Sequence, residues 1–94
     1  MEYKLLSGVA LATVCNENLL VATRRASEKV PAIKEVNETG AFVWRMLEQG
    51  SSLAEMAAKT AAEYGISPAE ARDGILDFIK VLQSAGYITE QKYF

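Results

Sequence analysis

Apolar and polar positions divide this chain into an amino-terminal part with strand periodicity and a carboxy-terminal part with helix periodicity. Short apolar runs at residues 8–15, 19–23 and 32–36 include β-branched residues and are separated by polar segments, as is typical of β-strands. From residue 38 onward, apolar residues recur every three or four positions, as on one face of an amphipathic helix. The pattern predicts an α+β fold, winged helix-turn-helix-like, with three short N-terminal β-strands followed by three α-helices.

Start and stop signals bound each of the three predicted helices. A residue that favours an N-cap precedes every helix, and proline at position 68 suits the first turn of the third. Glycines that can adopt the left-handed conformation follow the helices. The expected caps are Asn37, Ser52 and Ser67, and the expected terminating glycines are Gly50, Gly65 and Gly86. After the third helix, residues 87–89 are expected to form a short extended segment.

The helical spacing also predicts which side chains form the core. Trp44 is the only tryptophan and is expected to be the main anchor, together with Val43 and Leu47. Cys15, in an apolar run, is predicted to be a small buried residue, and residues 16–18 are predicted to form a hairpin turn. The inner stripes of the second and third helices are expected to comprise Leu53, Met56, Ala57, Thr60, Tyr64, Ala71, Ile75, Phe78, Ile79, Leu82 and Ala85.

Composition narrows the class of protein. The length of 94 residues suits one domain spanning residues 1–94, and half of the residues are hydrophobic, enough for a core. The net charge of -2 does not favour binding to nucleic acid or to anionic membranes. The chain has no apolar run long enough for a membrane span and no recognisable signal peptide, so with one cysteine a reducing cytoplasm is expected.

The residues that usually carry catalysis are scarce. The chain has no histidine, which removes the commonest general base and metal ligand, and it has no CxxC, HExxH or phosphate-binding glycine motif. Glu70, Asp73 and Asp77 lie close together on the third predicted helix, where charges usually form a solvated face. We therefore expect a protein that is not an enzyme and that needs no cofactor or metal.

The helix-turn-helix layout leaves DNA binding open as an alternative function. The third helix carries Glu70, Asp73 and Asp77 against Arg72 and Lys80, and one surplus negative charge opposes entry into a polyanionic groove. A purely structural subunit is a third alternative.

Peptide binding fits the pattern better, because an edge strand can accept another chain as an added strand. The strand at residues 32–36 is the candidate edge, and a flank of the third helix is expected to supply side chains. On this hypothesis a proline at position 34 would remove a backbone donor from the edge. The predicted peptide-binding residues are Ala32, Ile33, Lys34, Glu35, Val36, Arg72, Asp73, Leu76, Ile79, Lys80 and Gln83.

Several segments resemble the PqqD family. The stretch VNETGAFVWRML at residues 36–47 is similar to the family signature LNETGAxIWxLL, and SLAEMA at 52–57 is similar to TxxEIA. The segments EYGIS at 63–67, DGILDFIKVL at 73–82 and GYI at 86–88 continue the likeness. The two preceding strands fit in pattern only.

The resemblance implies a RiPP precursor-peptide recognition element, a peptide chaperone with a winged-helix-like fold. Such a protein binds the leader of a ribosomally made precursor peptide beside the third strand and against the third helix. It presents the leader to a modifying enzyme, often of the radical SAM type. Gly74 replaces the family's usual aliphatic residue, which is expected to loosen the third helix or its packing by roughly 1 kcal/mol relative to alanine. Glu35 and Val36 also depart from the family pattern, so a different groove specificity is expected. A homodimer is left open, and nothing points to one particular peptide product.

Overall fold

The computed structural model describes residues 2–92, which form two small antiparallel sheets, three α-helices and one short 3₁₀ helix (Ala26–Glu28). The element order matches the predicted α+β fold, in which short strands precede three helices. In chain order the elements are β1 (Glu2–Leu5), β2 (Val9–Val14), β3 (Glu17–Ala22), β4 (Ile33–Val36), α1 (Glu38–Glu48), α2 (Leu53–Tyr64), α3 (Pro68–Ala85) and β5 (Ile88–Lys92). Within residues 2–92, no helix is both long and apolar enough to cross a membrane.

The sheet formed by β1 and β5 was only partly foreseen from the sequence. Residues 87–89 were predicted to be extended, but no strand was predicted at the amino terminus. Tyr3 lies opposite Gln91 and is buried, so this pairing brings the two ends of the chain together beside the core. The alternation of polar and apolar residues at 2–5 is too short to predict a strand by itself. The partner strand lies more than 80 residues away in the sequence.

The hairpin between β2 and β3 corrects two predictions. Val14 pairs with Glu17, so the loop contains only Cys15 and Asn16, whose φ angles of 51° and 64° are left-handed. Two consecutive left-handed residues are the type I′ geometry that matches the twist of a hairpin. The predicted turn at residues 16–18 is therefore one residue out of place. The predicted burial of Cys15 is also wrong, because the turn exposes it.

The predicted helix caps are confirmed. The Asn37 side chain accepts a hydrogen bond from the Gly40 N–H at 2.7 Å, and the Ser67 hydroxyl accepts one from the Glu70 N–H at 3.1 Å. Ser52 and Glu55 form the reciprocal capping box at α2. These bonds satisfy backbone donors that a helix start would otherwise leave unpaired.

The core is centred on Trp44, as predicted. Its side chain is 0% exposed and its ring meets the buried ring of Tyr87 edge to face, with 6.0 Å between the centroids. The predicted inner stripes of α2 and α3 are largely buried, although Phe78 and Ala85 are only half-buried. Tyr64 is the exception: it is 37% exposed and packs edge to face on Phe42, while Ala61 takes the core position.

Candidate functional site

The edge of the three-stranded sheet is open at β4. The strand order is β2-β3-β4, and within residues 2–92 no further strand pairs with the outer side of β4. Val36 is 8% exposed and faces the core, whereas Ile33, 63% exposed, projects from the opposite face of the sheet. Lys34 is half-buried, and Ala32 and Glu35 are exposed. The predicted edge strand is thus present, with side chains that alternate between core and solvent.

The backbone pattern shows which groups of β4 are free to bind a further strand. Ala22 of β3 donates its N–H to the Ala32 carbonyl at 2.9 Å, so these two opposite residues form a hydrogen-bonded pair. Pair types alternate along antiparallel strands, so Lys34 also directs its backbone N–H and C=O towards β3. The corresponding groups of Ile33 and Glu35 therefore point to the open edge. This corrects the expectation that a proline at position 34 would act on that edge.

The carboxyl end of β4 adjoins the middle of α3. Asn37, the first residue after β4, lines a pocket together with Gly74 and Phe78 of α3. A Cβ atom at Gly40 would lie 3.3 Å from the Phe78 ring, so glycine allows this close approach of α1 and α3. On the same flank of α3, one turn beyond Phe78, Val81 is 53% exposed. An apolar surface therefore continues from the end of β4 along one flank of α3.

The α3 residues predicted for peptide binding lie mainly on a different flank. Arg72 and Leu76 are each two residues from Gly74, about 200° around a helix, so they project away from the flank that meets Asn37. Ile79 is 2% exposed and belongs to the core. The remaining predicted residues, Asp73, Lys80 and Gln83, are exposed. The structure does not bring these side chains together with β4, and their contact with a peptide stays a prediction.

The outward face of the three-stranded sheet is apolar and exposed. Val14 on β2, Val21 on β3 and Ile33 on β4 are 52%, 37% and 63% exposed, and the strand register places all three on the same face. Glu17 and Glu35 lie on this face as well and supply negative charge at its border. An exposed apolar patch with a polar border is typical of a surface that contacts another protein.

The two residues with clearly shifted pKa values lie outside the open edge of β4. Glu55 has its pKa lowered by the hydrogen bonds with Ser52 in the capping box, and burial raises the pKa of Tyr87. Glu55 belongs to a helix cap and Tyr87 to the core, so neither shifted pKa indicates a reactive group at the sheet edge. Among the described residues no cluster of three or more histidine, cysteine, aspartate or glutamate side chains is arranged to hold a metal. The arrangement offers main-chain hydrogen bonds and apolar contacts, which is the chemistry of binding.

Comparisons with known families and structures bear on the family and the fold of this chain. The family model for coenzyme PQQ synthesis protein D (PqqD) matches residues 27–88, which are 62 of the 94 residues. A comparison with curated protein sequences gave no significant match.

Two solved structures have a similar fold. One is TbiB1 in complex with the TbiA(beta) leader peptide, at 19% identity and a TM-score of 0.76, covering 96% of this chain and 99% of that chain. The other is lasso peptide synthetase B1 complexed with the leader peptide, at 21% identity and a TM-score of 0.78, covering 96% of this chain and 100% of that one. At these identities the likeness establishes the shared fold.

Proposed function

Because this chain belongs to the PqqD family, we propose that it binds the leader of a ribosomally made precursor peptide by strand addition at β4. The observation that carries the proposal is the open edge, where the backbone groups of Ile33 and Glu35 point away from β3. Main-chain bonds at such an edge hold an extended peptide, and neighbouring side chains select it. The leader-peptide complexes of the two similar structures support the same reading.

In this proposal the protein binds the peptide and catalyses no reaction itself. It functions in the cytoplasm, where the peptide is synthesised, as one peptide-recognition domain over residues 1–94. DNA binding, the alternative left open by the helix-turn-helix layout, gains no support from α3, whose exposed side chains include Glu70, Asp73 and Asp77. Neither does a purely structural role explain an open strand edge that adjoins an apolar pocket.

The binding test is an amide-shift titration with the short peptides encoded beside the gene for this chain. We expect the largest shifts at residues 32–36 and on the Gly74 flank of α3. Shifts confined to the β2–β3 turn or to α2, with residues 32–36 unmoved, would refute strand addition at β4. Neighbouring genes for a short peptide and a radical SAM enzyme would strengthen the assignment.

The modifying enzyme, of the radical SAM or another type, is the second partner that we propose, and it docks on the outward sheet face. A peptide added at β4 would extend that face, because the side chains of neighbouring strands point in the same direction at paired positions. The enzyme would then meet the apolar surface of Val21 and Ile33 together with alternate side chains of its substrate. The acidic border at Glu17 and Glu35 suits an enzyme surface with basic residues around an apolar centre.

Substitution of the outward face tests this second partner. We expect Val21→Glu to weaken binding of the enzyme encoded nearby while peptide affinity stays within about twofold, since the main-chain edge is unchanged. Ala62→Glu, at an exposed position of α2, is the matched control and should leave both affinities intact. Equal enzyme affinity of Val21→Glu and the parent protein would exclude this face as the docking surface.

A further inference from the structure

The three-stranded sheet has a second open edge, at β2. In the order β2-β3-β4, β2 is the other outer strand, and within residues 2–92 no strand pairs with its outer side. The preceding strand, β1, pairs with β5 in a separate sheet. An outer strand of this kind presents a row of backbone N–H and C=O groups to a further strand. β2 therefore offers a surface for strand pairing that is distinct from β4.

Two hydrogen bonds show which backbone groups of β2 face this edge. Thr23, directly after β3, donates its N–H to the Gly8 carbonyl at 2.7 Å. Ala22 donates its N–H to the Ala32 carbonyl, on the β4 side of β3. Because hydrogen-bonded and non-hydrogen-bonded pairs alternate, Val9, opposite Ala22, directs its N–H and C=O away from β3. The groups of β2 that point outward belong to alternate residues, namely Val9, Leu11 and Thr13.

The β2 edge lacks the features with which proteins usually protect an exposed strand. Such features are charged side chains, proline and β-bulges. The sequence of β2, VALATV, contains neither a charged residue nor proline, and its pairing with β3 is regular from Val9 to Val14. The opposite edge differs, because β4 carries Lys34 and Glu35. Of the two edges, β2 is the one suited to an uncharged, apolar partner strand.

The β2 edge is complementary to a second copy of itself. In an antiparallel pair with a twofold axis at Leu11, Leu11 bonds to Leu11 of the second copy, and Val9 bonds to Thr13 of the second copy. Every outward N–H and C=O of these residues then has a partner. Leu11 is half-buried at the margin of the core, so contact between the two leucines covers apolar surface that one copy leaves exposed. A contact between identical surfaces is closed and stops at the dimer.

Charges at the two ends of β3 favour the same arrangement. Glu17 lies at the turn end of β3, whereas Arg24 and Arg25 follow β3 at its other end. The twofold axis reverses the strand direction, so Glu17 of each copy lies across the two β2 strands from the arginines of the other copy. From the spacing of strands their backbones are about 15 Å apart, too far for direct ion pairs but near enough for attraction at low salt.

We propose that this protein forms a symmetric dimer in which β2 pairs with β2 of a second copy. The two three-stranded sheets then form one six-stranded sheet, with a β4 edge at each end. The contact leaves β4 free, so dimer formation is independent of peptide binding. Where peptides bind at β4, one dimer presents a peptide at each end of a continuous sheet.

The first experiment measures a distance between the two copies. Cys15 is the only cysteine and is exposed in the β2–β3 turn, so a nitroxide label can be attached without any substitution. Since each chain carries one label, a dipolar signal in pulsed electron paramagnetic resonance arises between copies. Cys15 lies four residues beyond Leu11, so the labelled backbones of the two copies should be about 27–30 Å apart. Pairing centred on Val9 or Thr13 would give about 41 Å or about 14 Å instead.

Proline substitution identifies the edge that pairs. Thr13→Pro removes an N–H that faces the open edge, where proline is tolerated. We expect the dissociation constant of the dimer, measured by sedimentation velocity, to rise about tenfold or more, because each copy loses a bond to the other. Thr13→Val is the matched control: like proline it lacks the hydroxyl that bonds to Asn18, but it keeps the N–H and should dimerise as the parent protein does. Glu35→Pro, on the other edge, should also dimerise as the parent does.

Three results would overturn the proposal. They are a protein that stays monomeric at the concentrations of the resonance experiment, a label distance outside the expected range, and equal dimerisation of Thr13→Pro and Thr13→Val. Loss of the dimer in Glu35→Pro alone would place the contact at β4 and likewise refute pairing through β2. If Thr13→Pro fails to fold, the label distance in the natural sequence and the dimerisation of Glu35→Pro decide the question.

Discussion

Replacement of Glu35 by proline is the sharpest test of strand addition at β4. The Glu35 N–H points to the open edge, because Ala32 and Lys34 direct their backbone groups to β3. Proline lacks this donor and its ring occupies the place of the incoming strand. Prolines are tolerated on edge strands where the N–H side faces solvent. We therefore expect Glu35→Pro to fold and to lose peptide affinity.

The expected loss of peptide affinity can be estimated from the one hydrogen bond that proline removes. A buried carbonyl on the peptide would be left without its donor, which costs about 1–3 kcal/mol. Since 1.4 kcal/mol corresponds to a factor of ten, the expected loss is about 5- to 150-fold in the dissociation constant. The steric conflict of the proline ring with the added strand increases this loss. Unfolding free energy should change much less, because the bonds between β3 and β4 remain.

Two control variants distinguish the loss of the backbone N–H at position 35 from the loss of the Glu35 side chain and from damage to the sheet. Glu35→Ala removes the carboxylate and keeps the N–H, so it should bind nearly as the parent protein does. Lys34→Pro removes a donor that bonds to β3, so it should lower stability and disturb the sheet. Isothermal calorimetry with the encoded peptide measures affinity, and urea unfolding measures stability. Equal affinity of Glu35→Pro and Glu35→Ala would refute strand addition at this edge.

Other predictions concern stability and the alternative function. Trp44→Ala should lower the free energy of unfolding by about 3–5 kcal/mol in urea titrations, because the side chain is 0% exposed; a loss under about 1 kcal/mol would contradict a core role. Tyr87→Phe removes a buried hydroxyl without a partner among the described residues and should stabilise the protein by roughly 1 kcal/mol. Burial raises the pKa of Tyr87, so its ionisation leaves stability unchanged below about pH 10 and lowers it as the pH rises towards the folded value, because the unfolded chain loses this proton first; Tyr87→Phe should flatten this alkaline decline. Gel-shift assays at physiological salt should show only weak DNA binding without sequence preference; selective sub-micromolar binding would favour the alternative function.

Local signals made the helices predictable from the sequence. Asn37, Ser52 and Ser67 each accept a backbone hydrogen bond from the residue three positions on, as the cap residues indicate. The burial of Trp44 followed from helical spacing and from the size of its side chain. These features depend on a few neighbouring residues, so the sequence contains nearly all of the information that determines them.

Features that depend on distant partners were predicted less well. The pairing of β1 with β5 joins the two ends of the chain, and neither strand has a strong pattern of its own. Cys15 follows an apolar run, but the register of β2 with β3 places it in the turn. Tyr64 has the spacing of a core residue, yet its side chain is 37% exposed and its ring contacts Phe42 of α1. Register and tertiary packing decide these positions.

The same distinction applies to the candidate site: its edge strand could be predicted from local sequence, but the flank of α3 beside it could not. Residues 32–36 could be identified as an edge because polar side chains alternate there and the sheet must end near α1. The flank of α3 that faces this edge depends on the close approach of Phe78 to Gly40, which no spacing rule reveals. A signal was nevertheless present: a glycine inside a strongly helical segment calls for a packing or functional reason. Gly74 lines the pocket that adjoins β4, so the residue that most weakens the local helix also lies on the flank of α3 next to the candidate site.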